Sequence, residues 1–223
     1  MAGPRSAARR GARQNGNVDT TGHPAQWSRR TAFIEAANTP RLLGAFDQLV
    51  GEGRWLPSFG LGTFPIRFPS ETDPGDAGWQ FDGSFYIERE IFLNLVSRER
   101  ALLMLFLFSD VTDRDAPTRI RAGSHLLVPA VLAPYGEAGA SYAEVVPQLT
   151  SLESCDVARA TGAAGDVFLC HPFLVHAASW PHRGVAPRFI AQPALQSTTT
   201  LQLDRKDRAY SPVEVAVRRG LRI

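Results

Sequence analysis

The spacing of apolar residues along this chain changes period near residue 50. Phe33, Ala36, Leu42, Leu43, Phe46 and Leu49 recur at helix-like intervals across Thr31 to Val50, with Pro40 interrupting them. Asn38-Thr39-Pro40 supplies a stop and an N-cap, so the pattern predicts two short helices closed by Gly51-Glu52-Gly53. From Trp55 onward the signals are those of strands. Gly62 to Phe68 alternates with period two and carries Pro65, which predicts an edge strand. Ser70 to Gly78 reads as a polar loop, and Phe81 to Tyr86 as a strand. Ala101 to Phe108 is an almost unbroken apolar run of strand length, the mark of a central buried strand. Thr118 to Arg121, Gly165 to Cys170 and Arg188 to Ala191 read as strands, and Ala138 to Leu149 as helix. Short strands broken by Gly and Pro turns after a helical opening predict a mainly β (α+β) domain, a sandwich or barrel with flanking helices. The pattern alone leaves a jelly roll, an Ig-like sandwich and a mixed α+β fold open.

Composition narrows the function classes more than the fold. The 223 residues fit a single domain, expected over 31–223. The net charge of +2 gives no reason to expect nucleic acid as a partner. The positive excess sits in residues 1–30, where Arg5, Arg9, Arg10, Arg13, Arg29 and Arg30 face Asp19 alone. Gly3, Pro4 and Gly11 interrupt that segment and it has no apolar helical face. It therefore reads as a disordered basic tail rather than an organellar presequence. Leu102 to Phe108 is too short to span a membrane, so no membrane association is expected. Two cysteines, Cys155 and Cys170, are too few for a disulfide framework and point to a reduced, cytoplasmic setting.

The candidate chemistry lies in three places. Asp82 sits in a turn beside Gly83, His176 ends the run His171-Pro-Phe-Leu-Val-His176, and Arg188 follows twelve residues later. Taken singly, these read as an Asx-turn carboxylate, a core histidine and a salt-bridged arginine. Taken together, a carboxylate, an imidazole and a bidentate guanidinium make most of a non-haem iron site that uses 2-oxoglutarate. His171 and His176 are five apart, which puts them on opposite faces of an extended strand. His176 is preferred as ligand because Arg188 follows it across one turn, and His171 is then a packing residue. His125 reads as a loop or substrate-side histidine, and His23 and His182 as exposed.

The motifs Gly62 to Phe68, Gly78 to Phe85, Leu105 to Val111, Thr118 to His125 and His171 to Ala178 resemble those of bacterial members of the phytanoyl-CoA dioxygenase family. The resemblance covers roughly residues 35 to 220. It implies a double-stranded β-helix (jelly-roll, cupin-like) core and an oxygenase that uses Fe(II), 2-oxoglutarate and O2 on a small-molecule substrate. It implies Asp82 and His176 as iron ligands and catalytic residues, with Arg188 and, more weakly, Thr118 holding 2-oxoglutarate. Trp79, Phe85 and Trp180 would line the substrate side. Two departures stand out. Gln80 occupies the position of the family's first histidine ligand, and an amide oxygen is a weaker donor than imidazole at unchanged site charge. The second is the short Arg-rich start in place of the family's usual N-terminal helix and strand. The sheet edge this would expose allows a homo-oligomer.

Three functions follow: a hydroxylase that tolerates Gln80, a catalytically degenerate binding protein for a small molecule or a partner, or an inactivated variant of an active enzyme. A cupin-like hydrolase or isomerase would leave Arg188 without a role. If residues 1–30 are a tail, removing them leaves the thermal midpoint unchanged. A large drop on truncation, read by circular dichroism, would mean that they replace the missing N-terminal element.

Overall fold

The computed structural model describes residues 31–82 and 84–223. The basic tail and His23 lie outside the described residues. Two helices open the described chain, α1 (Thr31–Ala37) and α2 (Pro40–Leu49). They divide at the expected cap: Thr39 accepts a hydrogen bond from the Leu42 N–H at 3.4 Å, and Pro40 takes the first helical position, where no N–H is needed. Leu42 and Phe46 bury one face of α2.

The strands follow in the order β1 (Ile66–Arg67), β2 (Phe85–Ile87), β3 (Glu90–Leu93), β4 (Leu102–Leu107), β5 (Arg119–Arg121), β6 (Ala140–Ser141), β7 (Val157–Arg159), β8 (Val167–Cys170), β9 (His176–Ala177), β10 (Arg188–Ala191) and β11 (Ala194–Leu195). Short helices α3 (Val128–Leu132) and α4 (Tyr142–Val145) lie between them, and α5 (Pro212–Leu221) closes the chain. All strand pairings are antiparallel. One sheet has the order β1, β10, β4, β8, with β11 continuing β10 along the same side of β4. The break between β10 and β11 falls at Pro193, which has no N–H for the ladder. There Gly62 passes so close that a Cβ would sit 2.9 Å from the Pro193 Cα, and its φ of +63° suits glycine. The second sheet has the order Gln80, β9, β5, β7, with Gln80 joined to His176 by a single bridge.

A separate small sheet has the order β2, β3, β6. Leaving it and β11 aside and numbering the other eight strands along the chain, with Gln80 as the second, the two facing sheets read 1-8-3-6 and 2-7-4-5. This is the strand order of a jelly roll, the mainly β fold with flanking helices that the sequence leads one to expect. β4 is buried along its whole length because both its faces are covered. Leu102, Met104 and Phe106 pack with Phe46, Leu132 and Val217 of the helices. Leu103 and Leu105 pack with Ile120 of the second sheet.

Local departures from the sequence pattern have local causes. The expected strand over Phe81 to Tyr86 begins only at Phe85, because the Ser84 N–H donates to Phe92 O and the Ser84 hydroxyl accepts from Asn94 N–H. The chain is thereby pulled into the β2–β3 hairpin. The expected helix over Ala138 to Leu149 is mostly not α: Ala140–Ser141 is strand, Ser141 caps the four-residue α4, and 3-10 turns run on to Leu152. Pro147 interrupts the helical hydrogen bonding there. His182, expected exposed, is buried, because its backbone pairs with Ser70 in both directions. No described helix is long and apolar enough to cross a membrane.

The closing helix α5 is held by a buried carboxylate. Glu214 accepts from Ser211 N–H at 2.8 Å and Gln202 N–H at 2.8 Å, and pairs with Arg54 at 2.9 Å. Glu214→Ala removes the capping box and strands those donors, so it should cost roughly 2–4 kcal/mol of unfolding free energy. Urea denaturation measures this; an unchanged midpoint would show that α5 contributes little to the core.

Candidate active site

Strand pairing decides which side chains can meet. Gln80 and His176 exchange two backbone hydrogen bonds, 2.9 and 2.7 Å, so their side chains leave the sheet on the same face. His176 also pairs with Ile120, whose side chain packs against Leu103 and Leu105 of the other sheet. That face is therefore the interior of the jelly roll. Thr118, two residues before Ile120, shares it by strand alternation, and Asp82 shares it with Gln80. On the first sheet, Ile190 pairs with Leu107 and Cys170 with Leu103, which turns Arg188 and Cys170 to the same interior. Strand pairing thus turns Gln80, Asp82, Thr118, His176 and Arg188 toward facing surfaces, with Thr118, His176 and Arg188 buried, Asp82 partly buried and Gln80 exposed at the rim, although they span more than a hundred residues of sequence.

Each side chain has a defined environment. His176 is buried, and its Nδ1 lies 3.0 Å from Leu174 O. A carbonyl only accepts, so Nδ1 carries the proton and Nε2 keeps its lone pair. Asp82 Oδ2 accepts from Arg100 Nη1 at 2.5 Å. Gln80 Oε1 accepts from the Tyr142 hydroxyl at 3.3 Å. Burial and then the Asp82 charge push the Tyr142 phenol up, and the same two causes push the Cys170 thiol up to about 12. Both groups therefore stay protonated beside the carboxylate.

Arg188 is buried and donates through Nη1 to Ala116 O, while its Nε has no partner among the described residues. Burial, reinforced by Arg67, lowers its pKa to about 10, and Asp76 and Asp115 pull the other way. The side chain remains a cation at neutral pH. Arg67, its partner across the strands, is neutralised by Asp76 at 2.8 Å.

Other expectations fall elsewhere. Trp79, one residue from Gln80, points to the opposite face, where the guanidinium groups of Arg119 and Arg121 lie 4.7 and 4.3 Å from its ring. Phe85 is buried in the β2–β3 hairpin, 5.7 Å from Phe92 and beneath Arg98. Trp180 is half exposed. Neither Trp79 nor Phe85 is brought to the shared interior face by strand pairing. Arg100 and Tyr142 touch two candidate ligands, and no sequence signal marked them. Arg100 lies in the charged turn Arg98-Glu99-Arg100, and Tyr142 opens a helix of only four residues.

His171 is a packing residue. Its Nδ1 accepts from Phe173 N–H at 3.0 Å and its Nε2 lies 3.2 Å from Val213 O, which fixes a neutral tautomer tied to α5. The ring of His125 lies 5.2 Å away, and burial lowers the pKa of that group too. Among the described residues no three His, Cys, Asp or Glu side chains form a metal-binding cluster.

No protein-family model matches the chain, and neither does any curated protein. Among solved structures it is similar to the iron-bound crystal structure of HygX from Streptomyces hygroscopicus, at a TM-score of 0.47 and 17% identity. That alignment covers 82% of this chain and 76% of HygX, and at that level nothing about the site carries across.

Burial, first, and then the neighbouring His125 lower the His171 pKa from 6.5 to about 3. The unfolded chain therefore binds a proton that the folded chain refuses between those values. His171 contributes stability fully above about pH 6.5, and that contribution is lost as pH falls toward 3. Melting temperature against pH should fall more steeply across this window in wild type than in His171→Gln. Parallel curves would remove His171 from the acid response.

Proposed function

We propose that this chain is an iron(II)- and 2-oxoglutarate-dependent oxygenase of the phytanoyl-CoA dioxygenase type. Its substrate is a small organic metabolite, hydroxylated at a C–H bond, and Gln80 stands where an imidazole ligand is expected. The observation that carries this reading is the pair of facing surfaces: His176, Asp82 and Gln80 on one side, and on the other Arg188, whose Nε has no partner among the described residues.

The donor set fits a divalent metal of borderline softness. His176 offers the Nε2 lone pair in a tautomer already fixed by Leu174 O. Asp82 offers Oδ1, and Gln80 offers the remaining lone pair of Oε1. An imidazole, a carboxylate and an amide oxygen hold iron(II) less tightly than two imidazoles and a carboxylate, without changing the charge. Iron(II) chelated by the oxo acid supplies the O2 activation that oxidation of an unactivated C–H bond needs.

The rest is work for the chain's own residues. Arg188 binds the remote carboxylate of the oxo acid, with Nε free to donate among the described residues and a guanidinium that stays charged although burial lowers its pKa to about 10. Thr118, buried one residue before β5, completes the polar wall on the facing sheet. Leu103, Leu105 and Ile120 keep water from the interior. The Tyr142 hydroxyl donates to Gln80 Oε1 at 3.3 Å and so helps hold the amide on the face it shares with His176.

A second reading is favoured by the Asp82–Arg100 ion pair, which neutralises the carboxylate without a metal. In that reading the chain is a catalytically degenerate member that binds an oxo acid or another small anion through Arg188. Anaerobic titration with iron(II) and 2-oxoglutarate, following the visible charge-transfer band, separates the two. The oxygenase reading expects a band in wild type and a stronger one in Gln80→His, with Arg188→Ala needing more oxo acid to reach it. A band in Gln80→His alone supports the degenerate reading. Absence of the band from both proteins would sink the metal site altogether.

A further inference from the structure

The Asp82–Arg100 contact has a consequence for how a metal would bind, and the inference rests on the oxygenase reading above. The contact is short and partly buried: Arg100 Nη1 to Asp82 Oδ2 is 2.5 Å, and the two side chains are 20% and 22% exposed. Its geometry is built from the backbone. Arg100 ends a turn that starts at Asn94, whose side-chain oxygen accepts from Arg98 N–H at 3.1 Å. The Ser97 hydroxyl donates to Arg100 O at 2.6 Å, and Ser97 holds a left-handed φ of 43°. Glu99 N–H donates to Ser84 O, two residues past Asp82. Ala101 N–H then enters the sheet through Leu195 O at 2.8 Å. The guanidinium is therefore delivered to Asp82 by a turn stitched to the carboxylate's own segment.

Charge decides what this does. Asp82 is the only candidate ligand that carries a negative charge, and Arg100 cancels it. A divalent cation entering at Asp82 meets a guanidinium across the same carboxylate, and their repulsion acts in a partly desolvated site. The neutral Gln80 and His176 cannot offset that repulsion. An oxo-acid dianion can, because its chelating carboxylate arrives beside the metal while its remote one goes to Arg188.

We propose that Arg100 makes metal binding conditional on the anionic co-substrate: the metal alone is held off by the Arg100 charge, and metal and 2-oxo acid bind with positive coupling. Arg100 is thus a positioning residue for Asp82 as well as the source of the coupling, and it does not touch the substrate. By reciprocity, the metal tightens the oxo acid by the same factor.

The test is calorimetric titration of Mn(II) into the full chain, with and without saturating 2-oxoglutarate. Wild type, Arg100→Gln, Arg100→Met, Arg100→Lys and Gln80→His are compared, each checked for folding by its thermal midpoint. Arg100→Met keeps the aliphatic stem should the Gln variant fold poorly. Wild type should bind Mn(II) weakly alone and at least about tenfold more tightly with the oxo acid. The uncharged Arg100 variants should bind Mn(II) alone at least about tenfold more tightly than wild type and gain less from the oxo acid. Arg100→Lys, which keeps the charge, should behave as wild type. If Gln80→His binds Mn(II) but the uncharged Arg100 variants bind no more tightly than wild type, the conditional-binding idea is overturned and the oxygenase reading stands. If no protein in the set binds Mn(II), both fall.

Discussion

The two backbone hydrogen bonds between Gln80 and His176 hold the candidate site together. They are the only link between the Gln80 segment and the second sheet among the described pairings, and they are a bridge rather than a ladder. Without them the jelly roll lacks its second strand, and Asp82 loses its fixed relation to His176. With them, two residues ninety-six positions apart share a face, and the carboxylate two residues on is brought to the same interior. The neighbouring side chains brace this weak link. Arg119 donates to Ala77 O at 2.6 Å and to Ala178 O at 3.1 Å, tying both bridged segments to β5 from the outer face. Trp79 stacks between Arg119 and Arg121 at the same place. A bridge of one residue pair is thus held by an outer clamp.

Inside that frame the site is organised by charge. The interior receives two guanidinium groups, one at each end of the constellation. Arg188 is buried with an unused donor, so its charge calls for an anion that the described residues do not supply directly. Arg100 is already neutralised by Asp82. His171 adds no positive charge: it is held neutral by burial and by two hydrogen bonds that together fix its tautomer. The result is an interior in which a single carboxylate faces two cations, a balance that favours an incoming anion at Arg188.

Much of the fold was legible in the chain. The β4 run, the Thr39-Pro40 helix break and the edge position of β1 each rest on a strong local rule: double-sided burial, N-capping, and proline at an edge. Features set by tertiary contact were not legible. The strand expected at Phe81 to Tyr86 breaks because Ser84 is captured by β3, and His182 is buried because a polar loop folds onto Ser70. Trp79 was expected to line a substrate, but strand parity sends it to the outer face, where two arginines enclose it. The cap of α5 was present in the sequence as Ser211-Pro212-Val213-Glu214, and that signal was overlooked.

Gln80 is best understood through its neighbours. An amide presents an oxygen and a nitrogen of similar size, and only the oxygen can face a cation. In the structure the Tyr142 hydroxyl donates to Oε1 at 3.3 Å, and burial and then Asp82 push that phenol's pKa up, which keeps it protonated. Tyr142 itself is delivered by Ser141 at the N-cap of α4, the same residue that pairs with Phe92 at the edge of the β2–β3 hairpin. The position of one amide oxygen is thus traced through a phenol, a helix cap and a hairpin, elements that serve the fold whether or not a metal binds. Gln80 takes its place from its two neighbours, His176 through the backbone and Tyr142 through the side chain.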